Sequence, residues 1–306
     1  MPTQKEVKNR IASVKNIHKI TRAMEAVAAA RLRRAEHRIE QLRPYARAIR
    51  QLTRRASEEA GSVTHVPALE QRENVRTAGI LLVTGDRGLA GAFNTNIIRE
   101  GIRLKQELES DGAHVVFSVV GRRGESALTF RQQELAHSYT GFTDRPAFAD
   151  AREIAEQLTS AYVDEELDRV EVVFNRYISP LTQYVWRQSL LPLQQADVFG
   201  QGTEDEEPSE EETELEKAHK RALWIYEPEP EELLNRLIPD YVNLSVYRAL
   251  LESSASELGA RMTAMRNASE NAQSLISDLT LEMNRVRQAE ITQEILEVVA
   301  GAEALR

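Results

Sequence analysis

The residues best placed for chemistry are glycines. Gly85-Asp86-Arg87-Gly88-Leu89-Ala90-Gly91 follows an apolar run at 77–84 (TAGILLVT) and precedes a helix-forming stretch from about Asn94. In doubly wound sheets a glycine loop between strand and helix holds the phosphates of a dinucleotide, because free backbone amides and the helix N-terminus favour an anion. Here the spacing of Gly85, Gly88 and Gly91 is not G-x-G-x-x-G, and no G-x-x-x-x-G-K-[ST] occurs. Asp86 would also point a carboxylate toward any bound phosphate. The spacing favours a structural turn over a nucleotide site, and with it disfavours a nucleotide-dependent oxidoreductase.

Other constellations are missing. His18, His37, His65, His114, His137 and His219 are scattered, with no H-E-x-x-H and no i, i+4 pair, so no metal is expected. There are no cysteines, which excludes thiolate catalysis, cysteine-ligated zinc and disulfide staples, and fits a reducing compartment. No G-x-S-x-G elbow is present, and Glu227, Glu229, Glu231 and Glu232 read as a solvated charged turn. The expectation is a non-catalytic chain with no cofactor.

The elements that carry the glycine loop alternate between strand and helix. After the strand at 77–84 come a strand at His114–Val120 closed by Gly121-Arg122-Arg123-Gly124, and a short strand at Leu135–Tyr139. A helix over 149–162 and strands at 170–177 and 182–191 complete the segment. Such alternation predicts a mainly parallel, doubly wound, Rossmann-like α/β domain over 75–240. Residues 59–76 read as a linker, and 203–216 (TEDEEPSEEETELE) as a mobile acidic loop too poor in apolar residues to order itself. Trp224, Ile225 and Tyr226 look like residues that dock the returning chain, and Pro239 is expected to end a short helix over 231–237.

The two ends of the chain are different in kind. From Val242 onward there is no proline, and Leu251, Ala255, Leu258, Met262, Met265, Ser269, Ala272, Ile276, Leu279, Met283 and Val286 step 4-3-4-3. That is a coiled-coil seam, on a helix of some 60 residues and roughly 90 Å, far longer than a domain about 30–40 Å across. Residues 1–58 supply its partner: Ala28, Leu32, Ala35, Ile39, Leu42, Ala46 and Ile49 share the rhythm, so the helices of 1–58 and 241–306 should pair antiparallel. Pro44 should kink or tighten the first of them. Nearer the N-terminus the seam positions become His18, Thr21 and Glu25, while Ile17, Ile20, Met24 and Val27 turn about 100° away and should meet something other than the intramolecular partner. Past Val286 the seam positions are Glu290, Gln293 and Glu297, so the last turns outrun the pair. They still carry Ile291, Ile295, Leu296, Val298, Val299 and Leu305. Each such side chain left in water forgoes about 1.5–3 kcal/mol of burial, so the tip calls for self-association or for a hydrophobic socket on another protein.

Charge is just as uneven. Residues 1–55 hold 15 Lys or Arg against 4 Asp or Glu, a balance of +11, which leaves −20 for the remainder. A nucleic-acid adaptor is one reading of a basic helix, but its charges surround the helix and no aromatics interleave them. No window approaches a transmembrane span, and the first residues resemble neither a signal nor a transit peptide, so a cytosolic protein held at a membrane by partners is expected.

Several stretches carry a resemblance. Residues 10–38 (RIASVKNIHKITRAMEAVAAARLRRAEHR), Arg43-Pro44-Tyr45-Ala46, VTGDRGLAGAFN (83–94), LLPL (190–193) and YEPEP (226–230) resemble, in order, the gamma subunits of F-type ATP synthases. So do SELGARMTAMRNASENAQSLI (256–276) and NRVRQAEITQEILEVVAGAEAL (284–305). The resemblance implies a rotor shaft inside a ring of alpha and beta subunits, with the α/β domain against epsilon and the c-ring. It would stand on the cytoplasmic face of a bacterial membrane, which it would reach only through the c-ring, and would bind no nucleic acid. It further implies polar contacts to a beta-subunit loop at Arg287, Gln288 and Thr292, a role for Met24 and Arg261 in coupling, and a tip (Ile291, Ile295, Leu296, Val298, Val299) turning in a hydrophobic bearing. The acidic tract is longer than in most bacterial relatives and lacks the cysteines of the chloroplast insert; the resemblance leaves its role to be tested.

Overall fold

A computed structural model describes residues 3–60, 72, 74–193 and 230–304. The acidic tract at 203–216, most of the 59–76 linker, the expected docking residues Trp224, Ile225 and Tyr226, and Leu305 lie outside the described residues. The elements run α1 (Gln4–Ala60), β1 (Thr77–Val83), α2 (Phe93–Ser110), β2 (His114–Val120), α3 (Arg122–Phe130) and β3 (Leu135–Tyr139). There follow α4 (Phe148–Val163), β4 (Arg169–Tyr177), β5 (Gln183–Leu191) and α5 (Pro230–Ala304). They divide into two compact units. One comprises Arg34–Gly88 and Ala92–Glu257; the other Met1–Arg33, Leu89–Gly91 and Leu258–Arg306.

The first unit holds a five-stranded sheet in the order β3-β2-β1-β4-β5, parallel except for the β4–β5 pair. β1 occupies its middle and is apolar on both faces, as a strand covered on both sides requires, while β4 beside it is buried along most of its length but carries Glu171 and Asn175 on one face. α2 covers one face with Phe93, Ile97, Ile98, Leu104 and Leu108, a helical stripe. Ile49 of α1 and Val242, Val246 and Leu250 of α5 join Leu81, Val83, Val172 and Phe174 in the core. Arg187 of β5 reaches Glu100 and Glu107 of α2 at 2.5 Å each, pinning the antiparallel edge strand to the helix beneath it. At the start of β1, Asp168 accepts from the amides of Arg76 and Thr77 and from Arg72 at 2.7–2.9 Å.

The structure departs from the sequence at two punctuation residues. Pro239 does not end a short helix; α5 runs unbroken for 75 residues with Pro239 inside it. A proline in a helix costs about 3 kcal/mol by deleting one amide and crowding the preceding turn. Leu234, Ile238, Tyr241 and Val242, buried on either side of it, contribute about 1.5–3 kcal/mol each and outweigh that cost. The glycine turn after β2 is likewise not a closing loop: Gly121 is the N-cap of α3, a nine-residue helix that contains Gly124. α1 remains helical through Pro44.

The second unit is the helix pair. Gln4 N–H donates to Glu290 Oε1 at 3.3 Å and Arg266 Nε to Glu25 Oε1 at 2.9 Å, so the helices are antiparallel. Val7 and Ile11 cluster with Leu279, backed by Val14 and Met283. The seam of α1 thus keeps its 4-3 rhythm through Val7, Ile11, Val14, His18, Thr21, Glu25, Ala28 and Leu32, each buried or half-buried, polar members included. On that register Thr21 and Ser269, both buried, fall at the same level. Thr21 satisfies its hydroxyl within its own helix, on the carbonyls of Ile17 and His18.

Candidate coupling surfaces and the closed glycine loop

The glycine loop is occupied from within. Asp86 leaves the end of β1 and lays its carboxylate against the turns that follow β2 and β3. Oδ1 accepts from Arg122 N–H at 3.2 Å, while Oδ2 accepts from Gly141 N–H at 2.9 Å and from Thr143 N–H and Oγ1 at 3.3 and 3.0 Å. The Asp86 N–H donates back to Thr143 Oγ1 at 3.0 Å, and Gly85 N–H to Asn94 Oδ1 at 2.9 Å. These are the carboxyl ends of parallel strands, where a doubly wound sheet receives a ligand, and Arg122 is the first residue of a helix. A side-chain carboxylate already takes the amides a phosphate would need. Burial raises the Asp86 pKa, but the amides of Gly141 and Arg122 and the Thr143 hydroxyl outweigh it and hold the carboxyl below the usual carboxylate range. Gly121, at φ 93°, closes the opposite wall: a Cβ there would lie 2.5 Å from the Thr84 carbonyl oxygen. The arrangement favours the structural turn.

Among the described residues, no three His, Cys, Asp or Glu side chains gather as a metal site, and no helix is long and apolar enough to cross a membrane.

The outer faces of the helix pair are where the remaining candidates sit. Ile17, Ile20 and Val27 are each more than half exposed, and Met24 beside them is half-buried. The apolar stripe therefore does turn away from the seam, while the polar His18, Thr21 and Glu25 line it. From 291 to 300 every residue of α5 is exposed, with Val298 reaching 73%. At 3.6 residues per turn, Ile291, Ile295, Leu296, Val298 and Val299 fall within an arc of about 160°. Glu290, Gln293, Glu294 and Glu297 fill the opposite side, in line with the seam. The tip is one broad apolar flank backed by acid.

The five predicted polar and coupling residues do not form one cluster. Arg287, Gln288 and Thr292 are exposed, and the last two share a face, with Thr292 Oγ1 donating to the Gln288 carbonyl at 2.9 Å. Gln288 and Thr292 stand within the arc of the apolar flank and Arg287 at its edge, so a partner that grips the flank meets them too. Arg261 differs: it is buried, at 8% exposure, where the other three are exposed. No spacing in the sequence signals the Asp86 network. Thr143 lies 57 residues away, and only the β2–β3 pairing brings the turn after β3 to the loop.

Helices zipped at heptad spacing and a doubly wound sheet whose ligand place is filled by its own aspartate make this a coiled-coil protein with an α/β unit. The comparisons place it further. The sequence model of a family described as ATP synthase matches residues 3–305. The "ATP synthase gamma chain" of Nostoc sp. is 42% identical with full coverage of both chains, and that of Rubrobacter xylanophilus 42% with 100% and 99%. Among solved structures, the mitochondrial ATP synthase central stalk and c-ring of Tetrahymena thermophila contains a chain 30% identical, with 82% of this chain and 99% of that one covered and a TM-score of 0.59. A chain in the F1 and c-ring structure of the Euglena gracilis enzyme, 20% identical with 99% and 94% covered and a TM-score of 0.65, shares the fold. The chain belongs to the ATP synthase gamma-chain family. Its part in that complex is non-catalytic.

Proposed function

We infer that this chain is the central rotor shaft of an F-type ATP synthase, coupling rotation of the c-ring to ATP synthesis or hydrolysis at beta-subunit sites. One observation carries the reading: an antiparallel helix pair in which one helix continues alone, apolar on the flank away from its partner. The alpha and beta subunits would form the ring around it, with the exposed Ile17, Ile20 and Val27 and the tip turning against that ring. Ile291, Ile295, Leu296, Val298 and Val299 would sit in a hydrophobic bearing. Arg287, Gln288 and Thr292 would meet a beta-subunit loop, where a guanidinium fork and an amide that both donates and accepts can re-form contacts after each step. Met24, half-buried, and Arg261, buried, would act in coupling rotation to catalysis. The α/β unit would face epsilon and the c-ring, on the cytoplasmic side of a bacterial membrane, as a peripheral subunit.

A shaft of this kind is an effector that moves: each face it presents must bind the states of the catalytic sites unequally. Reconstitution tests the whole reading. With its alpha and beta subunits and ATP, an immobilised ring should turn a bead attached to this chain. Stable ring hydrolysis with a stationary bead would sink it.

A further inference from the structure

We propose that residues 252–257 (ESSASE) are the joint that keeps α5 from slipping on the sheet, with Ser253, Ser254 and Ser256 as positioning residues for rotary coupling; this rests on the shaft reading above. All six residues are buried, between 0 and 5% exposed, yet five of them are polar. Ser253 Oγ donates to the Val83 carbonyl at the end of β1 at 3.4 Å, and Ser254 Oγ to the Asp144 carbonyl before α4 at 3.4 Å. Ser256 Oγ donates to the Asn175 carbonyl in β4 at 3.2 Å. Glu257 follows, its carboxylate set against Gly85, where a Cβ would come within 2.6 Å of the Glu257 Cδ. Behind the serines Arg248 holds Glu252 at 2.7 Å.

Stability alone does not call for this composition. Apolar side chains on the same face would pack without polar atoms to satisfy, and the hydroxyl contacts are longer than ordinary O–H···O bonds. What they supply is direction. Apolar packing is non-directional, so a helix seated only on apolar side chains can roll or slide by repacking. Three hydroxyls aimed at carbonyls of three separate segments, spread over about 160° of the helix, are satisfied together at one rotation and one height. Small side chains also let the helix backbone approach the strand ends. The next residue, Leu258, opens the helix-pair unit.

The test uses the complete ATP synthase in inverted membrane vesicles, reading ATP hydrolysis and ATP-driven acidification together. The variant with Ser253→Ala, Ser254→Ala and Ser256→Ala should hydrolyse ATP at close to the parental rate, while acidification per ATP falls by about two- to tenfold. Ser256→Cys, which keeps a weak donor, should fall between Ser and Ala. Unchanged acidification per ATP in the triple variant overturns the proposal. Should that variant fail to assemble, the three single variants carry the same readout, and no loss in any of them overturns it equally. Failure of the shaft reading looks different, since vesicles with the unaltered chain would then not acidify with ATP.

Discussion

Asp86 shows how much one side chain settles in the α/β unit. Its carboxylate joins the turns after β1, β2 and β3, and four donors converge on it. Asp86→Ala leaves the exposed amides of Arg122 and Gly141 and the buried Thr143 without their acceptor, and should destabilise the chain by about 1–2 kcal/mol in denaturant unfolding. The same carboxylate should appear in the acid limb of stability. Asp86 and Asp168 both have folded pKa values below their ordinary ones: burial raises each, and the amides together with Thr143 or Arg72 more than reverse it. A lowered folded pKa contributes stability that is complete above the unfolded value of 3.8 and is lost as pH falls through the folded one. Unfolding free energy should therefore be flat from pH 7 to 5 on their account and fall below about pH 4, less steeply in Asp86→Ala. That Asp86 is a charge hostile to phosphate was legible in the sequence. That its carboxylate is itself the occupant was not, because its donors arrive from 36 to 57 residues away.

At the scale of the element, periodicity was a dependable guide and punctuation was not. The heptad positions of both long helices are buried or half-buried to the last member, because a 4-3 repeat buries one stripe whatever else the helix carries. The divergence at Ile17–Val27 was legible for the same reason, although what covers that stripe is a matter for the partners. Pro239 and Gly121 misled because their signals are local and their context is not: a proline flanked by buried Leu234 and Ile238 stays helical, and a glycine at φ 93° opens α3 instead of ending β2. Leu32, 3% exposed in the seam, is the point to probe. Leu32→Ala should cost about 2–4 kcal/mol in thermal or denaturant unfolding, the usual loss for a buried leucine whose site cannot collapse. Removing residues 291–306 should change stability by no more than about 0.5 kcal/mol, since the described residues among them are exposed through 300 and contribute nothing to the pair.

The whole molecule brings together two interactions that differ in range, and salt separates them. The +11 balance of residues 1–55 acts over a Debye length, about 10 Å at 0.1 M and 3 Å at 1 M. The apolar flank of α5 acts only on contact and does not weaken with salt. Lys15, Lys19 and Arg22 are exposed on α1, on the side away from its apolar stripe. If that helix meets acidic ring surface, reversing the three to Glu should slow association with the alpha and beta subunits by about tenfold at low salt. The deficit should close as salt approaches 1 M. Leu296→Gln with Val299→Gln should instead leave the association rate nearly unchanged and speed dissociation at every ionic strength, because short-range contacts govern the lifetime of a complex more than its encounter. Surface-bound ring subunits titrated with the three chains at two salt concentrations distinguish these outcomes. A charge-reversed chain that associates as fast as its parent at low salt would mean that the basic helix does not steer assembly, leaving the apolar flank to account for it alone.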